Sequence, residues 1–523
     1  MDTQALRVGS EFVAVRSVSV LPTATVVVFA AALVFGGGTQ QALATDALIQ
    51  LLSLVLIGLT VPGLFREGAE RSRRLIFGVM ILVLCVAFYE LLPLPAAIWL
   101  ALPGRGPIAD AYNVAGIGLP WLPITLQPEA TWRCLLSLLP GVAIFAAVTQ
   151  LNLQTRRGLS LLLVAIGLVS VLLGLAQLME GPSSGLRFFP VTNADSSVGF
   201  FANRNHYAAL LYCLIPFVTA WTAEFLADRG SGRILGTAIF LGIYIVLLLG
   251  LGMALSRAGI VLALIASMSS LLMFLRLKSD VTRKNITIMM AATVAGALLI
   301  VQFALFNLIA RFGTDTLADS RFDIAKTTSA AALAFAPIGS GLGSFQPIYK
   351  MFEGAATVGH TFVYHAHDDW LELWLELGWL APVLAIGFLI WFGRAAFSAW
   401  RAPQVTEDVL DRCLPLAASI VLALLLLHSI VDYPLRTTAL DVVLAFACAL
   451  MIPPAATRRR SSEPRPVSAS EGDRPSTRAH RSDSRRRARR YQVGPGTAAD
   501  DAASLAGPAA AGERPTGARS IAR

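Results

Sequence analysis

Apolar residues fall in runs of about twenty along this chain, the length that carries an α-helix across the ~30 Å hydrocarbon core of a bilayer. Such runs lie at roughly 17–37, 44–64, 75–93, 132–151, 159–179, 206–226, 235–255, 258–276, 286–306, 376–397, 413–433 and 437–453. The pattern predicts an all-α fold, a polytopic membrane bundle of about twelve transmembrane helices. Counted from a cytoplasmic N-terminus, the loops on the inner side carry Arg66, Arg71, Arg73 and Arg74, then Arg156 and Arg157, Arg229 and Arg233, Arg276 to Lys284, and Arg394 to Arg412. Basic residues gather in short cytoplasmic loops, so both termini are expected inside. Three longer loops then face outward, at about 94–131, 180–205 and 307–375. The last is the largest and is expected to be mainly helical.

Composition sharpens this. Of 523 residues, 55% are hydrophobic and 14% charged, against about 25% charged in soluble domains; the mean hydropathy is +0.66. The net charge is +9, but residues 458–523 hold 15 arginines against 7 acids and so supply +8 of it. The basic balance thus describes a tail rich in Arg, Ser, Pro, Ala and Gly, expected to be disordered, and not a nucleic-acid-binding domain. The expected division is a transmembrane body at 1–453 and a basic cytoplasmic tail at 454–523. Cys85, Cys134, Cys213, Cys413 and Cys448 lie in or beside apolar runs without CxxC spacing, so they read as packing residues.

Against this apolar background the outward polar residues stand out. Arg204 and His206 fall where one run begins, a place that favours an anion or simply a polar cap. Ser256-Arg257-Ala-Gly259 fills a tight turn between two abutting runs, where Arg257 either snorkels or binds an anion. In the large loop lie Arg311, Arg321, Asp323 and Lys326, and Ser320–Ala330 reads as an amphipathic helix. The run Pro337-Ile-Gly-Ser-Gly-Leu-Gly-Ser-Phe345 lacks the Lys-Ser/Thr ending of a phosphate loop and reads as a flexible turn that lets backbone approach a ligand. Three uses compete for His360, His365 and His367 beside Asp368 and Asp369: metal ligands, plain surface polarity, or a general base. His428 and Asp432, four apart, are expected on one helix face, as a structural pair or as part of a cavity. Several arginines and histidines on one side of a membrane fit a cavity for a diphosphate with a base to deprotonate a hydroxyl.

These residues resemble a known family. His367-Asp368, nine residues and Gly378 resemble the His-Asn-x9-Gly signature of the O-antigen ligase superfamily, which also includes O-antigen and exopolysaccharide polymerases and pilin oligosaccharyltransferases; Asp368 stands where Asn, Ser or Gln is usual. Asn203-Arg-Asn-His206, Ser256-Arg-Ala-Gly259, the glycine run and His428-Ser-Ile-Val-Asp-Tyr-Pro-Leu-Arg436 resemble further family stretches, over about 200–440. The resemblance implies a metal-independent, inverting glycosyltransferase of the C-type fold, without a cofactor, in the bacterial inner membrane. It implies transfer of a glycan from undecaprenyl diphosphate to a hydroxyl acceptor on the periplasmic face, either lipid A-core (a ligase) or another lipid-linked glycan (a polymerase). It further implies that His367, Arg257 and Arg321 are catalytic, and that Arg204, His206, His365, Asp368 and Arg436 bind substrate. A small-anion transporter is the rival from another class; its site is expected near the bilayer midplane.

Overall fold

The structure is a computed structural model describing residues 20–39, 44–65, 70–191, 193–227, 233–277, 287–288, 290–298, 302, 316–355, 362–402 and 408–454. The tail beyond 454, Arg311 and His360 lie outside the described residues. Helices account for nearly all regular structure: α1 Val20–Phe35, α2 Ala44–Leu64, α3 Glu70–Leu91, α4 Ala96–Leu100, α5 Gly106–Val114, α6 Pro128–Ser137, α7 Leu139–Gln150, α8 Leu153–Glu180, α9 Arg204–Ala227, α10 Arg233–Ala254, α11 Arg257–Leu275, α12 Thr316–Phe335, α13 Phe345–Phe352, α14 Asp369–Leu377, α15 Leu380–Arg401, α16 Val409–His428 and α17 Thr438–Leu450. Among the described residues nine helical segments are long and apolar enough to cross a membrane, and α1 and α17 are shorter apolar helices. The run expected at 286–306 is described only in part and is helical at 290–298. The protein is thus a polytopic helical membrane bundle.

α9 is the centre of the bundle, with α10, α11 and α16 packed around it. Glycines make that packing possible: a Cβ at Gly167, Gly250 or Gly259 would strike Leu214, Leu211 or Ala208 within 3 Å. Small residues of this kind let membrane helices approach closely. Side chains also set the ends. Asn152 accepts from Thr155 N to start α8, and Ser256 accepts from Gly259 N to start α11, each meeting a backbone donor that the first turn leaves free.

Two expectations need correction. The run at 376–397 is not one element, because Gly378, with φ +57°, separates α14 from α15. The run at 413–433 stops at His428: Ser429 to Thr437 form turns, and Pro434 opens a short 3-10 turn, Pro434–Arg436, where its missing N–H could not continue a helix. His428 and Asp432 therefore do not share a helix face. The loop at 94–131, expected on the outward side, carries structure of its own. Pro93–Leu94 pairs antiparallel with Leu122–Pro123, and the loop folds over α12 through buried Arg105. That guanidinium donates to Ile124 O at 2.5 Å and lies over the rings of Trp99 and Phe335 at 5.5 and 5.7 Å; burial lowers its pKa to about 10.

Candidate functional site

The stretch from Tyr364 to Gly378 is built around one short helix. Asp368 caps α14 by accepting from Leu371 N at 3.0 Å. Gly378 closes it, and a Cβ there would strike Pro337 O at 2.1 Å. The His-Asp-x9-Gly spacing is thus a cap, a nine-residue helix and a left-handed stop.

The glycine run packs against the far end of the same helix. Ser340 N donates to Leu375 O at 3.0 Å, Gly341 N to Glu376 O at 2.8 Å, and Gly343 N to Glu376 Oε1 at 2.8 Å. Gly339, Gly341 and Gly343 all have positive φ, and a Cβ on each would collide with Glu376 O, Thr125 or Ala130. The glycines bring this backbone close to the protein's own chain, where Ser340 N and Gly341 N satisfy the last carbonyls of α14.

On the inner face of α14, Asp369, Glu372 and Glu376 are three and four residues apart and so line up on one side. Arg436 sits among them, its Nη2 2.9 Å from Glu376 Oε2 and 3.5 Å from Glu372 Oε1, its Nε 3.6 Å from Asp369 Oδ1. Burial alone would raise the Glu372 pKa, but Arg436 and His365 hold it down at about 2. Asp369 is different: burial outweighs Arg436 and raises it to about 7. Glu372 also grips the loop before α14, accepting from His365 Nδ1 at 2.9 Å and from Ala366 N at 2.8 Å.

His367 is held from another direction. Its Nδ1 lies 3.2 Å from Asp432 Oδ1. Asp432 is fully buried, while the His367 side chain is 30% exposed. Burial would raise the Asp432 pKa, but the His367 hydrogen bond and the charges of His367, His206 and His428 hold it well below the usual carboxylate range. Asn205 Nδ2 donates to the other oxygen of Asp432, and Ser256 Oγ donates to Asn205 Oδ1 at 2.8 Å. A continuous hydrogen-bonded chain therefore runs Ser256–Asn205–Asp432–His367, and it ties the first turn of α11, where exposed Arg257 stands, to the histidine.

Tyr433 is the hub of the cluster. Its ring lies 4.3 Å from that of His365, 4.9 Å from His206 and 5.1 Å from His367. The charge of Arg321, on α12, acts on Tyr433 and on His428. The backbone adds a further sign. Among the described non-glycine residues, only Leu255 and His367 have positive φ, at 52° and 53°. Each costs on the order of 1 kcal/mol or more, and such strain clusters where function demands a geometry. One immediately precedes Ser256-Arg257; the other is the histidine itself.

The structure thus brings His367, His365, His206, Arg321 and the first turn of α11 to one end of the bundle, with Arg204 opening α9 beside Asn205. It gives Asp368 a capping contact and Arg436 three carboxylate partners. Sequence reasoning did not connect Asp432, Asn205 and Ser256 to His367, because their separation along the chain hides it; nor did it single out Tyr433. The adjacency of His428 and Asp432 misled, since His428 Nδ1 instead pairs with Tyr212 Oη at 2.9 Å. A cavity of about 430 Å3 opens beside the carboxylate cluster, lined by Tyr364, His365, Arg436, Gln127, Arg133 and Gln346 among others. No curated protein matches the chain. Residues 242–386, which include Ser256-Arg257, Arg321, the glycine run and His367 through Gly378, match the family model described as O-antigen ligase, and the chain is thereby similar to the O-antigen ligase-like superfamily that its motifs resemble.

Proposed function

We propose that this protein is a membrane glycosyltransferase of the ligase or polymerase type, moving a glycan from undecaprenyl diphosphate to a hydroxyl acceptor on the periplasmic face of the bacterial inner membrane. The observation that carries the reading is the half-exposed His367 held through Nδ1 by a buried, ionised Asp432. With Nδ1 donating to Asp432, Nε2 is the nitrogen free to take a proton, the arrangement that orients a general base.

In the proposed step, His367 Nε2 removes the acceptor hydroxyl proton as that oxygen bonds to the anomeric carbon. The bond from that carbon to the diphosphate oxygen breaks on the opposite face, with inversion. Undecaprenyl diphosphate leaves with the electron pair, and Arg257 and Arg321, aided by Arg204 at the start of α9, neutralise its charge. His206 and His365 pack on Tyr433 and keep the base in place. Asp368 and Arg436 act by positioning α14, and the polar cavity beside His365 gives the acceptor room. The proposed chemistry uses no metal ion; activity lost to a chelator and restored by a divalent cation counts against that part.

Ligase and polymerase differ in the acceptor. Glycan analysis of a deletion strain distinguishes them: lipid-linked single repeats mark a lost polymerase, lipid-linked long chains a lost ligase. For the site, His367→Ala and Arg257→Ala are expected to abolish surface glycan while protein level in the membrane stays unchanged. Loss of a general base alone costs about 10²–10⁴-fold. Wild-type glycan from both variants would overturn the assignment.

A further inference from the structure

The segment between α3 and the span that opens with α6 presents an apolar surface that the described residues leave uncovered. Val114 is 90% exposed and Trp121 67%, and Ile98, Leu100 and Ile117 are exposed as well. Residues 94–128 carry two charges, Arg105 and Asp110, and Arg105 is buried. α5 has nine residues and none of them is buried. A Cβ added at Gly106, Gly116 or Gly118 would meet no described atom within 4 Å. A helix this short is marginal in water by itself, and an exposed apolar patch of this kind marks a surface that something else covers. The opposite side of the segment is packed. Trp99 Nε1 donates to Pro123 O at 3.0 Å, Arg105 lies over the Phe335 ring of α12, and Leu126 N donates to Ser340 O at 2.9 Å.

We infer that residues 95–121 lie along the bilayer surface, with Val114, Ile117 and Trp121 in lipid at the boundary between headgroups and acyl chains. The cover is lipid because the uncovered surface continues that of two spans. The chain leaves α3 at Leu91, the pairing of Pro93–Leu94 with Leu122–Pro123 closes the segment, and the next span opens at Pro128. Both spans present apolar side chains outward: the most apolar stretch of α3 is 17% buried, with Phe88 exposed, and Trp132 and Leu136 are exposed on α6. Tryptophan suits this depth, since its ring is apolar and its N–H reaches water. The backbone sets the limit of immersion. Residues 101–105 and 115–121 are turns and irregular chain, which exposed to lipid do not occur in the hydrocarbon core. At the headgroup boundary their polar groups, and those of Asp110 and Asn113, meet water. Held by lipid on one side and packed on α12 and the glycine run on the other, the segment ties the histidine end of the bundle to the membrane surface. The inference stands independently of the proposed reaction.

The test uses the full chain in vesicles of phosphatidylethanolamine and phosphatidylglycerol. Cys85→Ala and Cys134→Ala leave three cysteines, all buried. On that background a nitroxide is attached through Val114→Cys or Ile117→Cys, with Ile81→Cys on α3 as the lipid-facing reference. Collisions with dissolved oxygen are expected to exceed those with a water-soluble nickel chelate severalfold at 114 and 117, as at 81. Collisions dominated by nickel would show the segment in water and overturn the inference. Few collisions with either reagent would show a protein cover, and label-to-label broadening would identify it as a second copy; both overturn it too. A second measurement needs no cysteine replacement and stands if that background folds poorly. Trp121→Phe is expected to remove a share of the fluorescence that lipid brominated near the headgroup quenches. An unchanged lipid-quenched share, or loss of a share that acrylamide alone quenches, overturns the inference.

Discussion

Two carboxylate sites lie side by side in this protein and use charge in opposite ways. Asp432 is one buried carboxylate facing a half-exposed histidine, so its partner keeps one nitrogen toward the open side. At the other site Asp369, Glu372 and Glu376 surround Arg436 and hold it by three contacts. The first arrangement orients a group that can still take up a proton. The second fixes a helix, its guanidinium set among three buried carboxylates. Two acid–base clusters with similar residue types are thus distinguished by exposure and by the number of partners, which composition does not reveal.

The sharpest way to break this contrast is Arg436→Ala. It leaves buried carboxylates without their cation, a loss of about 3–5 kcal/mol. Membrane-inserted protein is expected to fall steeply; normal yield and melting would show the cluster does not hold the helix. Next is Asp432→Asn. Here the fold is expected to persist by circular dichroism, while transfer drops on the order of 10²–10⁴-fold, since a carboxamide no longer fixes the imidazole tautomer. Loss of folding instead would make Asp432 a structural residue like Arg436.

A smaller effect lies in pH. The Asp369 pKa is raised from 3.8 to about 7 by burial, so between those values the folded state binds more protons than the unfolded one. Its contribution to stability is therefore present at low pH and lost as pH rises through about 7. Melting temperatures followed from pH 4 to 7 are expected to show a less negative slope in Asp369→Asn than in the unaltered protein. Identical slopes would mean Asp369 is ionised throughout. Smallest is Asp368→Ala, which removes the cap of α14 at a cost of about 1 kcal/mol. A modest fall in melting temperature with substantial activity retained is expected. Abolished transfer at unchanged stability would place Asp368 on the substrate instead.

Much of this was legible in the chain. Runs of twenty apolar residues are enough to place the spans, because in a bilayer every backbone N–H and C=O must be satisfied within its own helix. The ends of the site helix were legible too: Asp368 and Gly378 are residues whose preferences are local, a short acceptor at a helix start and a left-handed stop at its end. The glycine run was recognised as a close backbone approach, but its neighbour was not, since Leu375 and Glu376 lie over thirty residues away.

What the sequence by itself determined, then, is the helical membrane architecture, the placing of histidines and arginines at segment ends, and the likeness to O-antigen ligases. Each rests on local periodicity, on short-range capping or on motif spacing. Tertiary structure alone decided that the Asp432 side chain pairs with His367 and not with His428, that Asn205 links it to Ser256, and that Arg436 sits among carboxylates. The physical reason is that a buried polar group must find a partner wherever the packing of helices brings one, and the turn after α16 brings Asp432 to a histidine 65 residues earlier. No period along the chain records which helices become neighbours.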